Sequence, residues 1–323
     1  MGIGILLGLD VGGTNVKAVL AAADGGRRRR ARWATASLGE TPPAALAGLE
    51  TRIRELLARE GLAAANLAGL GLACAGLIDG ASGRLLAAPN LRHWEGAPLG
   101  DWFAARFPCP VAIENDVNAL AYGEWRLGAG RGARHLVCLA LGTGVGGGLI
   151  LDGALYRGRR GLAAELGHMV IDRDGRRCPC GSRGCLEAYA GARAIQAAAR
   201  RALARRARGH RELARFLAGA APEPRALHAA ARAGSGLARE LLAEAGRALG
   251  VGIASCINAF APDCVVIAGG VAGAGSYLLG PARAEAAARL MDPDQQRLDL
   301  RLRALGDDGA ALGAALLAAE RDA

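Results

Sequence analysis

The chain has 323 residues, 52% of them apolar and only 4% aromatic, and carries a formal charge of +10. That length accommodates two domains or one large one with a full core, and no apolar run approaches the span of a bilayer helix. A secretory leader is not expected either, because MGIGILLGLD has no basic start and meets Asp10.

The charge by itself would admit a nucleic-acid partner. The 39 arginines, in runs such as Arg27–Arg30 and Arg205–Arg208, are spread along the chain without interleaved aromatics. A compositional bias toward Ala, Gly and Arg gives that distribution, so neither a nucleic-acid nor a membrane partner is expected. Cys74, Cys109, Cys138, Cys256 and Cys264 lie in apolar surroundings, as reduced buried cysteines do, which predicts a cytoplasmic protein.

Residues 3–10 predict a strand, Val-Gly-Gly-Thr-Asn a tight turn, and Val16–Ala23 a second strand. Gly12 and Gly13 would open backbone N–H groups to an anion, Thr14 adds a hydroxyl, and Asp10 is placed to hold Mg²⁺ against a polyphosphate. Lys17 is the only lysine in the chain and sits inside this motif. A glycine hairpin without a ligand is the alternative. Neither GxxxxGKS nor GxGxxG occurs here, which removes P-loop and Rossmann readings.

A third strand is predicted over Arg30–Ala36, and Thr41-Pro42-Pro43 opens an amphipathic helix reaching about Arg59. Strands follow at Gly69–Ile78 and Arg84–Ala88, then a loop with Asn90, His93 and Trp94, where Asn90 either caps a turn or faces a polar ligand. A helix near Leu99–Arg106 and the strand Val111–Ile113 lead into Glu114-Asn115-Asp116-Val117-Asn118, just before a helix over Ala119–Trp125. Asp116 could serve as an N-cap. Four polar residues at a strand end also suit a general base at the mouth of an α/β sheet, where ligands bind.

His135–Leu141 predicts a buried strand, followed by a second glycine turn, Gly142-Thr143-Gly144-Val145-Gly146-Gly147-Gly148, and a strand over Leu149–Leu151. Two strand–glycine turn–strand hairpins would clamp a nucleotide's phosphates from two sides. The segment Glu165–Glu187 then gathers His168, Cys178, Cys180 and Cys185 within eighteen positions. Thiolate and imidazole are ligands Zn²⁺ prefers, and four of them close a tetrahedral structural site. The polar, turn-rich sequence between them has little apolar surface to fix itself; a loop with free or disulfide-bonded cysteines is the alternative. From Ala192 the chain is strongly helical, with Pro222 and Pro224 as breaks, an apolar helix near Leu237–Asn258, a strand over Cys264–Ala268 and an Ala-rich helix over Asp308–Glu320.

With these pieces the sequence resembles the ROK family of sugar kinases and sugar-responsive repressors. The likeness covers essentially the whole chain: LDVGGTNVKAVL and LGTGVGGGLI look like the two phosphate motifs, ENDVNAL like the segment of the catalytic aspartate, and ELGHMVIDRDGRRCPCGSRGCLEAYAG like the sugar-plus-zinc segment. The resemblance implies an α/β, two-domain actin/hexokinase-like ATPase fold of ribonuclease H-like βββαβαβα units with a cleft between domains. Residues 1–120 with 305–323 would form the small domain and 121–304 the large one, which contains the zinc loop.

It implies that Asp116 is the base and that Asn90, Asn115, Asp116, Glu165, His168 and Glu187 contact sugar hydroxyls. Asp10, Gly12, Gly13, Thr14, Lys17, Gly142, Thr143 and Gly144 would meet the nucleotide with Mg²⁺, Gly269 and Gly270 would meet adenosine, and His168, Cys178, Cys180 and Cys185 would hold Zn²⁺. Three departures from the family pattern stand out: Ala75 where proline is common, Ala164 where glycine is common, and Ala272 where Ser is frequent.

The expected activity is ATP-dependent phosphorylation of the 6-hydroxyl of glucose by a homodimer or larger homo-oligomer. An N-acetylhexosamine or mannose kinase is the nearest alternative. A sugar-responsive transcriptional repressor is the alternative of a different class. Repressors of this family carry an N-terminal helix-turn-helix and a degraded first phosphate motif, whereas here the first strand begins at residue 3 and the motif is intact.

Overall fold

The computed structural model describes residues 4–22, 24–26, 29–80, 82–292 and 299–320. Ile3, Ala23, Arg27 and Arg28, which belong to the expected strands and basic run, lie outside the described residues. The chain divides into two compact units: Met1–Ala133 with Gly148–Ala164 and Arg303–Ala323, and Arg134–Gly147 with Glu165–Leu302.

The first unit opens with strands β1 (Ile5–Val11), β2 (Asn15–Ala22) and β3 (Arg29–Ala34), then helix α1 (Pro42–Arg59) and strands β4 (Leu67–Cys74), β5 (Leu77–Asp79) and β6 (Arg84–Ala87). Helix α2 (Leu99–Ala104), strand β7 (Val111–Asn115) and helix α3 (Asp116–Leu127) follow. Its sheet has the order β3-β2-β1-β4-β7, antiparallel among the first three strands and parallel from β1 to β7. This is the order of one ribonuclease H-like unit. The parallel strands are apolar almost throughout, as strands covered on both faces must be. Leu46, Leu49, Ile53, Leu56 and Leu57 form the buried stripe of α1, which joins Leu7, Leu9, Leu70, Leu72, Trp94 and Phe103 in one core.

One expected strand is two. The run Gly69–Ile78 breaks after Cys74, because Gly76 takes φ 151° and a Cβ there would overlap the Ala87 carbonyl. That turn aims β5 at β6, its antiparallel partner. Helix α3 also starts earlier than its apolar pattern predicts, at Asp116, since the polar residues before Ala119 form its first turn.

The second unit contains strand β8 (Leu136–Leu141) and the start of β9 (Val145–Leu151), whose later residues return the chain to the first unit with the short β10 (Ala154–Leu155). Helices α4 (Glu187–Ala190), α5 (Ala192–Ala204), α6 (His210–Leu217), α7 (Pro224–Arg232) and α8 (Gly236–Phe260) lead to strand β11 (Cys264–Ala268), helix α9 (Ser276–Ala287) and strand β12 (Leu300–Leu302). The sheet order β10-β9-β8-β11-β12, with β8, β11 and β12 parallel, repeats the pattern of the first sheet. Helix α8 is capped by Ser235, whose hydroxyl accepts from the Ala238 N–H at 3.3 Å. No helix of the described residues is long and apolar enough to cross a membrane.

Helix α10 (Gly309–Ala319) belongs to the first unit. It is buried nearly all round and lies directly on the sheet. A Cβ on Gly8 of β1 or Gly71 of β4 would overlap the carbonyls of Ala311 and Ala314, and one on Gly313 would overlap the Ala119 carbonyl of α3. The contacts are backbone against backbone, so no side chain can swing away to relieve an added methyl. Gly71→Ala should therefore lower stability by about 1–3 kcal/mol, the usual cost of overpacking, read as a drop in the urea midpoint.

Candidate functional site

Three parallel strands of the first unit end together. In their register Asp10 pairs with Ala73 and Ala73 with Glu114, while Val11 pairs with Cys74 and Cys74 with Asn115. The carboxyl ends of parallel strands are where open α/β sheets bind ligands. This edge brings Asp10 and the Glu114–Asn115–Asp116 segment together. Cys74, fully buried between them, has its thiol pushed well above the usual range, first by burial and then by the charges of Asp116 and Asp10.

The cap of α3 is Asn115, one residue before the capping alternative for Asp116. Asn115 Oδ1 accepts from the N–H groups of Val117 at 2.8 Å and Asn118 at 3.1 Å, and Nδ2 donates to the Gly76 carbonyl at 3.1 Å. Its amide therefore serves the backbone first. Asp116 is the first helical residue, with Oδ1 accepting from the Val117 N–H at 3.0 Å, at a helix end that favours negative charge.

Sequence reasoning assigned Glu114 no chemistry. Its Oε1 accepts from the Asn115 N–H at 3.0 Å and Asn118 Nδ2 at 3.1 Å, and its Oε2 from Arg157 Nε at 2.6 Å. Glu114 and Arg157 face a cavity of about 610 Å³ whose wall also includes Tyr122, Trp125, Arg126 and Glu320. Arg126 donates to the Tyr122 hydroxyl at 2.7 Å and pairs with Glu320. No sequence spacing signals a pair 43 positions apart. A buried acid immediately before a helix cap was the available clue.

The first glycine turn offers fewer donors than its sequence promises. The Gly12 N–H donates to the Asn15 carbonyl at 3.1 Å, and Thr35 fixes the turn by donating its hydroxyl to the Gly12 carbonyl at 2.6 Å and its N–H to the Thr14 carbonyl at 2.9 Å. The donors it can turn to a phosphate are those of Gly13 and Thr14. A Cβ on Gly13 would crowd the Asn90 backbone, which sets Asn90 beside the turn. Lys17 Nζ donates to Asp10 Oδ2 at 3.1 Å across the β1–β2 pair, so the solitary lysine meets the expected metal-holding carboxylate.

In the second unit Gly142 donates its N–H to the Gly144 carbonyl at 3.0 Å, again a donor consumed within the turn. Glu187, at the start of α4, accepts from the Val145 N–H at 3.0 Å through Oε2 and lies where a Cβ on Gly144 would be. A side chain at 144 would push that carboxylate off the Val145 N–H. A Cβ on Gly167 would overlap the Val145 carbonyl, so the Glu165–His168 segment packs on the same turn. Gly269, at φ 86°, lies against the Leu141 backbone, so Gly269 and Gly270 adjoin the second turn at the ends of β8 and β11.

His168, Cys178, Cys180 and Cys185 converge, with their ligand atoms all within 4.8 Å of one another. Cys178 Sγ lies 3.6 Å from His168 Nδ1, and Cys180 Sγ lies 3.7 Å from Cys185 Sγ. Zinc bonds of usual length at a tetrahedral angle predict S···N and S···S edges of roughly 3.6 and 3.8 Å. The donor set fits zinc in chemistry and spacing. Turn bonds shape it: the Cys178 N–H donates to the Ser182 carbonyl at 2.9 Å, and the Gly181 N–H to the Cys178 carbonyl at 3.0 Å. Burial pushes the Cys178 thiol up to about 12 and raises Cys185 as well, whereas the Ser182 N–H lowers Cys180. A metal binding here must displace protons.

The family model of the ROK family matches residues 6–321. A glucokinase of Thermotoga maritima is 39% identical over 254 residues, 78% of this chain and 79% of that protein. A glucokinase of Streptomyces coelicolor is 34% identical over 325 residues, 99% of each. Among solved structures, a ROK family glucokinase from Streptomyces griseus in complex with glucose and AMPPNP superposes with a TM-score of 0.80 at 34% identity, covering 98% of this chain and 99% of that one.

Ala164, just before Glu165, has φ 66°, the left-handed region. Its backbone needs what the more common glycine there supplies. An L residue pays about 1–2 kcal/mol in that region, while glycine costs roughly 0.5–1 kcal/mol of chain entropy. Ala164→Gly should therefore raise stability by about 0.5–1 kcal/mol, measured by denaturant unfolding.

Proposed function

We propose a specific reaction for this chain, which belongs to the ROK family: transfer of the γ-phosphoryl group of ATP to the 6-hydroxyl of glucose. The protein is an ATP-dependent hexose kinase of the actin/hexokinase-like fold. The observation that carries the finer reading is the shared edge of β1, β4 and β7, with Asp10 at one strand end and Asp116 just beyond another.

Asp116 accepts the proton of the 6-hydroxyl as that oxygen attacks the γ-phosphorus, which requires the carboxylate within about 3 Å of the hydroxyl. The bond from phosphorus to the β–γ bridging oxygen breaks, and ADP leaves with that electron pair. N–H groups of Gly13, Thr14, Thr143 and Gly144 donate to phosphate oxygens, in place of the larger set that the two motifs first imply, and Gly269 and Gly270 lie against adenosine. Asp10 would hold the Mg²⁺ of the nucleotide, which offsets phosphate charge when bound, and Lys17 supplies a further cation. Phosphoryl transfer leaves little covalent work to the protein, so positioning contributes most.

Asn90, Asn115, Glu165, His168 and Glu187 hold sugar hydroxyls. Asn115 has one amide hydrogen beyond its bond to Gly76, and Glu187 divides its carboxylate between sugar and the Val145 N–H. His168, Cys178, Cys180 and Cys185 would hold a structural Zn²⁺. Nδ1 is turned to the thiols, so a zinc ion bound there would fix the His168 tautomer and leave Nε2 for a hydroxyl.

Cys74, Cys138, Cys256 and Cys264 are buried, as reduced cysteines are, which supports a cytoplasmic setting. Many arginines lie against carboxylates, including Arg29 on Glu60, Arg54 on Glu50, Arg289 on Glu285 and Arg303 on Asp307. That favours small-molecule partners over nucleic acid.

Asp116→Asn should retain glucose binding in calorimetry yet lower kcat by at least ~10²-fold in a coupled assay; near-normal turnover would remove the base assignment. Elemental analysis should find one zinc per chain, and Cys180→Ser should lose it with weaker glucose affinity. An unmodified protein without zinc would end the metal reading.

A further inference from the structure

We infer that Arg157 and Glu114 are positioning residues for the acceptor base, a role that rests on the assignment of Asp116 above. Glu114 stands immediately before the cap of α3, and its side chain is only 8% exposed. One oxygen binds the first turn of the helix, through the Asn115 N–H and the Asn118 amide. The other is held by Arg157 Nε at 2.6 Å. The carboxylate is thus a bridge: guanidinium on one side, the two residues flanking Asp116 and Val117 on the other.

A carboxylate so buried is costly unless it is paired and hydrogen-bonded. Removing Arg157 would leave Glu114 without its counter-ion, and the carboxylate would turn toward water in the adjoining cavity. Its bonds to Asn115 and Asn118 would loosen with that turn. Asn115 in turn caps the helix on which Asp116 is the first residue. The coupling therefore runs from Arg157 through Glu114 and Asn115 to the helix turn that begins with Asp116. Arg157 also lies in the stretch after β10, whose side chain is 43% exposed, so the bridge is anchored from a surface segment rather than from the core. Neither residue touches the reacting atoms in this account, and neither is catalytic.

The test compares Arg157→Ala, Arg157→Lys, Glu114→Gln and the Glu114→Gln/Arg157→Ala double variant with the unmodified protein and Asp116→Asn. Thermal unfolding establishes that each is folded. Arg157→Ala should lose between ~10- and ~100-fold in kcat, the scale on which a slightly misplaced group costs rate. Its glucose Kd, measured by calorimetry without nucleotide, should rise by a smaller factor than kcat falls, because Asn115 is one of five sugar contacts whereas the base acts in the transition state. Lysine restores the charge without the planar fork, so Arg157→Lys should fall between the two. The double variant should lose no more than the worse single one, since the residues act as a unit.

Should Arg157→Ala not fold, Arg157→Lys and Glu114→Gln carry the test by the same split between kcat and Kd. Turnover of Arg157→Ala within about 2-fold of normal overturns the inference, as does an equal loss in affinity and rate without recovery by lysine. If Asp116→Asn is inactive and Arg157→Ala is not impaired, only the positioning role fails. If Asp116→Asn turns over normally, the base assignment fails and the positioning role falls with it.

Discussion

The position of Asp116 depends on a contact that involves almost no side chain. Helix α10 lies on β1 and β4 with its carbonyls over Gly8 and Gly71, and it meets α3 where Gly313 faces Ala119. Helix α3 is therefore located in large part by backbone-to-backbone packing, with Gly123 and Gly313 at the crossing with α10. Dense interiors transmit displacement rather than soften it. That packing sets the axis of the helix, and the bonds of Glu114 and Asn115 set its first turn, where Asp116 lies. The Ala- and Gly-rich composition, which looks like mere bias in the sequence, is used here for close approach.

The second unit organises its chemistry differently. Its sheet supplies a glycine turn between β8 and β9, but the turn is shaped by a carboxylate, Glu187, that accepts the Val145 N–H and occupies the space beside Gly144. Residues 165–186 have little regular structure: one 3-10 turn over Leu166–His168 and the isolated bridges Val170–Cys185 and Arg177–Arg183. Four metal-ligating side chains converge in that segment. A zinc ion there would do no chemistry; it would hold His168 and the approach to Glu187 in one arrangement. Substrate selection in this reading thus leans on a metal-stiffened loop, whereas phosphoryl transfer leans on the rigid edge of a sheet.

Local signals made much of this legible. Strand–glycine turn–strand patterns, proline at the start of α1, the apolar period of α8 and the Cys/His spacing each depend on residues close in sequence, and each appears near where the pattern puts it, except that β9 already begins at Val145 and takes in Gly146–Gly148, which the glycine run alone places in the turn. The misses share a cause: they depend on partners distant in sequence. The Glu114–Arg157 pair and the glycine seats of α10 need the tertiary fold before they can be seen. The donor supply of the two turns was overestimated for a related reason, because sequence shows which N–H groups exist and not which are consumed inside the turn. Ala164 is the converse, a departure whose cost becomes visible only with its φ angle.

The central claim is that this chain moves a phosphoryl group from ATP to the 6-hydroxyl of glucose. Phosphorus NMR of purified protein with MgATP and glucose tests it most directly, because it identifies both products and the position modified. The account predicts glucose 6-phosphate and ADP accumulating in equal amounts. No sugar phosphate, a phosphate at another hydroxyl, or ADP accompanied only by inorganic phosphate would contradict it.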